Sequence, residues 1–214
     1  MHTTHTTLHL SHHTLHRVDF DPATFTPADL FWLPHHAQLQ SAGRKRQCEH
    51  LAGRLAAFYA LQDIHIRAIP GIDASRAPRW PAGVYGSISH SHSTALAVIA
   101  RHPVGIDIEP LFTAEICAEL TTSIVTEAER VVLERCGLPF PLALTLAFSA
   151  KESLYKAFAT TALPGFFSAQ VTALNASHVT LTIGARFSPA RAGETVAVAW
   201  CSVDDRVVTL VAGS

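Results

Sequence analysis

Charge is scarce in this chain. Asp, Glu, Lys and Arg together make up 15% of 214 residues, and they nearly cancel to a formal net charge of -1. No global positive field exists to hold a nucleic acid, so no nucleic-acid partner is expected. Any anionic ligand must be gripped by local cations. Low charge does not mean disorder here, because 48% of the residues are hydrophobic, enough to build a real core in one large domain or two small ones. Cysteine is also sparse. Cys48, Cys117, Cys136 and Cys201 are scattered with no C-x-x-C pair, and free buried thiols in a reducing cytoplasm are the simplest reading. Met1 is followed by polar His and Thr, so no secretory leader is expected. The longest apolar run, around Leu138 to Phe148, falls short of the ~20 residues that cross a bilayer and leaves only peripheral membrane association open. A serine hydrolase is not indicated either. There is no G-x-S-x-G, and the adjacency of Ser89 and His90 does not build a triad.

What is present is histidine, fourteen in all, six of them (His2, His5, His9, His12, His13, His16) in the first sixteen residues. They lack zinc-type spacing with cysteine, and a polar, partly ordered N-terminus is the expectation. No low-complexity linker or repeat divides the chain. Pro22 and Pro27 punctuate an irregular lead-in. A helix is expected from Gly43 to Leu61, where Leu51, Leu55 and Phe58 recur on one face. Arg76 to Gly86 reads as loop. Ala95–Ala100 and Val104–Ile108, separated by Arg101-His102-Pro103, read as an antiparallel hairpin closed by Pro110. Thr126 and Glu129 form a capping box for a helix ending near Gly137, and a further helix spans Pro141 to Ala159. Four strands follow, Val171–Leu174, Val179–Ile183, Val196–Ser202 and Val207–Val211, with Asp204-Asp205 as a turn. Helices mixed with antiparallel strands argue for the α+β class.

Four clusters could carry chemistry. In V-G-I-D-I-E-P, Asp107 and Glu109 alternate on a strand and share a face, with Ile106 and Ile108 on the other. Close like charges repel, and a hard divalent cation removes that repulsion. Two ordinary acids on a solvent-facing strand edge fit the same pattern. In F-S-A-K-E-S-L-Y-K-A-F, Glu152 and Lys156 are four apart on a helix. They could be a third metal carboxylate and a phosphate-neutralising cation, or a surface ion pair with Ser149 and Glu152 as a capping box. Arg46, His50 and Arg54 form a stripe along the first helix, suited to a terminal phosphate or simply a solvated basic face. In W-P-A-G-V-Y-G-S-I-S-H-S, Ser87, Ser89 and Ser91 alternate on a strand with His90 opposite, a pattern that suits either a pyrophosphate or a polar edge strand.

Taken together and in this order, the clusters resemble the 4'-phosphopantetheinyl transferases of the Sfp/EntD type over nearly the whole chain. The resemblance rests on L-P-H-H-A-Q-L-Q-S-A-G-R-K-R, E-H-L-A-G-R, W-P-A-G-V-Y-G-S-I-S-H, V-G-I-D-I-E and L-A-L-T-L-A-F-S-A-K-E-S. G-I-D-I-E followed ~40 residues later by F-S-A-K-E-S-x-x-K is a specific signature. The resemblance implies two similar α/β subdomains related by a pseudo-twofold axis, with the active site in the cleft between them. Residues 1–103 would grip the phosphates of coenzyme A, and 104–214 would carry the metal carboxylates and the carrier contact. It implies that Asp107, Glu109 and Glu152 coordinate Mg²⁺, or Mn²⁺ in its place. Glu152 would take the proton of the acceptor serine, and Lys156 would stabilise the departing 3',5'-ADP. Arg46 and Arg54 would hold the 3'-phosphate of coenzyme A, and Ser89 and His90 its other phosphates. Arg76-Ala77-Pro78 stands where the wider family carries G-K-P, which makes Arg76 a further coenzyme A contact.

The implied acceptor is an apo peptidyl or aryl carrier domain of enterobactin-type siderophore synthesis, met by a cytoplasmic monomer that associates with the synthetase complex. Leu111 to Val125 is the candidate platform for a carrier helix. Two other functions use the same residues. One is a Mg²⁺-dependent coenzyme A pyrophosphohydrolase that hands phosphopantetheine to water. The other is a non-catalytic coenzyme A-binding subunit, which would not need a metal-poised glutamate.

Overall fold

The N-terminus, expected to be only partly ordered, is a β-hairpin. In the computed structural model, which describes residues 1–74, 76–158 and 165–213, β1 (Thr3–Leu10) pairs antiparallel with β2 (His13–Phe20) across a tight turn. The residues explain the correction. β-Branched threonine favours strands, and Leu15, Val18 and Phe20 are buried beneath the hairpin. The histidines tie sheet to helix. His16 is buried, with Nδ1 3.0 Å from His5 Nε2 and Nε2 3.0 Å from Asp63 Oδ2, while the His5 ring stacks 3.9 Å from that of Tyr59.

The chain divides into two compact units, Met1–Pro103 and Val104–Ser214. In the first, α1 (Arg44–Gln62) lies on a four-stranded antiparallel sheet. Its remaining strands are β5 (Tyr85–Ser91) and β6 (Thr94–Ala100), in the order β1-β2-β6-β5, and a two-residue ribbon of β3 (Gly71–Ile72) and β4 (Pro78–Arg79) precedes them. The helix buries a face of small residues, Ala52, Ala56, Ala57 and Ala60, together with Leu51 and Leu61. That face lets the helix come close. A Cβ on Gly53 would lie only 2.8 Å from Ile88 Cγ2.

The second unit holds β7 (Val104–Pro110), α2 (Ala114–Ile124), α3 (Glu127–Arg135) and α4 (Phe140–Phe158), then β8 (Ala169–Leu174), β9 (His178–Ile183), β10 (Thr195–Val203) and β11 (Arg206–Ala212). The strands form one antiparallel sheet in the order β7-β11-β10-β9-β8. The four C-terminal strands and the Thr126–Glu129 capping box fall where the sequence places them, and Asp204 takes a left-handed φ of 56° in the last turn. Ala159, the expected end of the long helix, lies outside the described residues. The expected hairpin of Ala95–Ala100 with Val104–Ile108 does not form. β6 is flanked by β2 and β5, and β7 pairs with β11 instead. Arg101-His102-Pro103 is therefore a connection from one sheet to the next, not a hairpin turn. With every paired strand antiparallel and helices alongside, the architecture is mixed α and β.

A buried acid set and a basic pocket

Glycine positions the acid set. On β7, Gly105, Asp107 and Glu109 share one face, and α4 packs on that strand. A Cβ at Gly105 would stand 1.9 Å from the carbonyl oxygen of Ser153 and 2.7 Å from the amide nitrogen of Ala157, so only glycine admits the helix at this distance. The close approach brings α4 side chains onto Asp107. Ser149 Oγ donates to Asp107 Oδ2 at 2.8 Å, and Lys156 Nζ donates to Asp107 Oδ1 at 2.7 Å. Asp107 is only 2% exposed, which removes the reading of two solvent-facing acids. Ser149 and Glu152 lie in the middle of α4, so they are not a capping box.

Glu109 and Glu152 complete the set, each partly buried. Burial, followed by the charge of Asp107 and then Glu152, pushes the Glu109 carboxyl up to about 7 against the pull of Lys156. Burial and Asp107 likewise raise Glu152, again against Lys156. Three acids with one ammonium among them form a site short of positive charge. Among the described residues, no three His, Cys, Asp or Glu side chains converge closely enough to cage a metal by themselves. Magnesium does not require a cage, since it takes one or two carboxylates and completes its shell with water and substrate phosphate. The donor oxygens therefore fit a hard dication in chemistry and in charge.

Beside Glu152 the second unit opens a mostly apolar cavity of about 260 Å³, lined by Lys151, Leu154, Tyr155, Phe166 and Phe187 among others. Sequence reading missed it, because its walls come from α4 and from segments beyond residue 165. Lys151 itself turns into the interior. Its Nζ lies 2.6 Å from Glu129 Oε1 and donates to Ile124 O at 2.9 Å. Glu129 in turn accepts the N–H groups of Thr126 and Val171.

The first unit has a different chemistry. Arg46, His50 and Arg54 on α1 meet Arg76, His90 and Glu49 around a pocket of about 150 Å³. The basic stripe is thus a pocket wall. Burial, then Arg54, His35, Arg46 and His90, holds the His50 imidazole down at about 3, so it is neutral, and its Nε2 lies 2.8 Å from His35 Nε2. Arg54 is buried, and burial lowers its guanidinium to about 10. Its Nε and Nη2 donate to the carbonyls of Pro70 and Gly71 at 2.8 and 3.0 Å, so it braces the loop as well as lining the pocket. Arg76 has a left-handed φ of 70°, which costs an arginine about 1–2 kcal/mol. Ser89 is not brought into this pocket. It lies on the buried face of β5, opposite His90 and Ile88.

Comparison with known proteins agrees with this chemistry. Residues 35–100 match the 4'-phosphopantetheinyl transferase N-terminal domain, and residues 103–211 match the 4'-phosphopantetheinyl transferase superfamily. The chain is 53% identical to enterobactin synthase component D of Salmonella typhi, over 98% of this chain and 90% of that protein. It is 51% identical to the component D of Escherichia coli K12 over 98% of both. It is 32% identical to the 4'-phosphopantetheinyl transferase PptT of Mycobacterium tuberculosis, over 71% of this chain and 67% of that one. Signature motifs, buried acid set and matches over nearly the full length together show that the chain belongs to the 4'-phosphopantetheinyl transferase superfamily.

Proposed function

We propose that the chain transfers the 4'-phosphopantetheine arm of coenzyme A to a serine of an apo carrier-protein domain and releases 3',5'-ADP. The observation that carries this reading is Asp107, buried beneath α4 with Lys156 on its carboxylate and with Glu109 and Glu152 beside it, in a chain of this superfamily. Asp107, Glu109 and Glu152 would hold Mg²⁺, or Mn²⁺ in its place, and the bound ion supplies charge neutralisation for the pyrophosphate. Glu152, whose carboxylate burial makes a stronger base than usual, takes the proton of the carrier serine. The serine oxygen bonds to the β-phosphorus, the bond from that phosphorus to the bridging oxygen breaks, and the electron pair departs on 3',5'-ADP, where Lys156 neutralises it. No covalent enzyme intermediate is needed. In the first unit the guanidinium groups of Arg46, Arg54 and Arg76 and the imidazole of His90 take the nucleotide phosphates. The cavity beside Glu152, mostly apolar with Lys151, Tyr155 and Ser168 in its wall, suits the pantetheine arm, a thin chain of methylenes and methyls joined by amides.

The relatives named enterobactin synthase component D support a siderophore-synthetase carrier as acceptor. α2 offers it apolar side chains at Ile116 and, just before the helix, Leu111, both exposed. Changing both to glutamate should raise the KM for the carrier and leave that for coenzyme A unchanged. A carrier KM equal to wild type would remove α2 as the platform. The catalytic reading is tested by Glu152→Ala. With its circular dichroism unchanged, this variant should lose at least ~100-fold in turnover, and near-full turnover would contradict the assignment. The hydrolase and binding-subunit alternatives draw no support from the comparisons.

A further inference from the structure

Asp107 is approached from behind by hydroxyls. Ser149 Oγ donates to its Oδ2 at 2.8 Å. Thr209 on β11, directly across the strand pair from Asp107, lies 2.9 Å from Ser149 Oγ through its Oγ1. Ser153, one helical turn after Ser149, lies 2.7 Å from the same Thr209 Oγ1 and 3.1 Å from the Thr209 carbonyl oxygen. All three hydroxyls are fully buried. A buried hydroxyl has one proton to give, and the carboxylate can only accept. The bond to Asp107 therefore sets the direction of the chain. Ser149 gives its proton to Asp107 and must accept from Thr209, while the one proton of Ser153 is shared between two acceptors on Thr209, Oγ1 at 2.7 Å and the carbonyl oxygen at 3.1 Å. Each donor strengthens the next by polarising it.

Packing alone does not explain three hydroxyls here. Alanine and valine would fill the same space between α4 and the sheet, with no polar group to satisfy. Three hydroxyls that bond mainly to one another and to one carboxylate serve that carboxylate.

We propose that Ser149 is a positioning residue for the cation site, with Thr209 and Ser153 acting through it: the hydroxyl chain fixes the plane and charge of the Asp107 carboxylate so that the acid set can take a divalent cation. The inference rests on the reading of Asp107, Glu109 and Glu152 as cation ligands. Outer groups that hold a metal-binding carboxylate commonly govern affinity by 10–100-fold. Ser149 is fully buried and closed to either substrate, so its effect belongs in cation affinity, not in coenzyme A affinity.

The test is Mn²⁺ binding to the full-length protein with coenzyme A present, followed by loss of the free-ion EPR signal, with a protein-free control subtracted. The variants are Ser149→Ala, the near-isosteric Thr209→Val, and the two combined, each checked for fold by thermal unfolding. Ser149→Ala should weaken Mn²⁺ by about tenfold or more. Thr209→Val should weaken it less, and should add nothing once Ser149 is alanine, because Thr209 acts only through Ser149. Wild-type Mn²⁺ affinity in Ser149→Ala overturns the proposal, and so does an undiminished Thr209→Val effect in the double variant. Should Ser149→Ala fail to fold, wild-type affinity in Thr209→Val overturns the relay. If the wild-type protein itself takes up no Mn²⁺, the cation reading falls and this proposal with it. If wild type binds and the variants bind equally well, only the positioning role falls.

Discussion

Lys151 and Glu152 are neighbours in the chain, yet replacing them should have opposite signatures. Lys151 is buried against Glu129 at 2.6 Å, with both side chains at most 3% exposed. Lys151→Met leaves Glu129 as an uncompensated buried acid and should cost about 3–5 kcal/mol in urea unfolding. Pairing it with Glu129→Gln should recover part of that loss, and a double variant no more stable than Lys151→Met would contradict the ion-pair account. Glu152→Ala, by contrast, removes a carboxylate that burial already disfavours, so stability should hold while turnover is lost. His50 gives a pH signature. Its folded value of about 3 lies below the ordinary 6.5, so the folded state prefers the neutral ring. That contribution is fully present above pH 6.5 and is lost progressively as pH falls from 6.5 toward 3. His50→Gln should therefore flatten the decline in melting temperature between pH 6.5 and 4.5, and a slope identical to wild type would contradict burial as the cause.

At the scale of elements, the contact that matters is α4 on β7. Gly105→Ala forces a Cβ into the helix backbone, and either strand or helix must shift. Overpacking of this kind costs about 1–3 kcal/mol, sometimes more. Because the same contact sets Ser149 and Lys156 on Asp107, the still-folded variant should also lose activity, measured as turnover at a temperature where unfolding is negligible. Full activity would mean the site does not depend on that packing. Where local rules decide an element, the sequence announces it. The Thr126–Glu129 capping box and the alternating C-terminal strands fall where expected because their signals lie within a few residues. Pairing partners were less legible. β6 and β7 look like a hairpin because a short polar break separates two apolar runs. The true partner of β7 is β11, about a hundred residues away, and no local pattern encodes that choice. The N-terminal hairpin was hidden because its outward positions are histidine and threonine, which read as a polar tail until Leu15, Val18 and Phe20 are placed on the core.

For the molecule as a whole, the chemistry divides by unit, and kinetics should divide with it. Arg46→Ala and Arg76→Ala, in the basic pocket of the first unit, should raise the KM for coenzyme A about tenfold with turnover little changed. Substitutions in the acid set of the second unit should lower turnover instead. A fall in turnover alone for the arginine variants would show that the basic pocket does not bind the nucleotide. Asp107, Glu109, Glu152 and Lys156 could be singled out in the sequence because strand and helix periodicity put each pair on one face and because the spacing of their two motifs is itself a signature, and the structure sets Lys156 on Asp107. Arg54 as a loop brace, Ser89 on the far face of β5, and the hydroxyls behind Asp107 could not be, since each depends on contacts between elements distant in the chain. The central claim is group transfer to a protein at a metal-dependent acid set. It is tested most directly by intact mass spectrometry of an apo carrier domain incubated with the protein, coenzyme A and Mg²⁺, with and without EDTA. The account predicts a gain of one phosphopantetheine on the carrier that EDTA abolishes. An unchanged carrier mass across siderophore peptidyl and aryl carriers, or a gain that persists in EDTA, would contradict it.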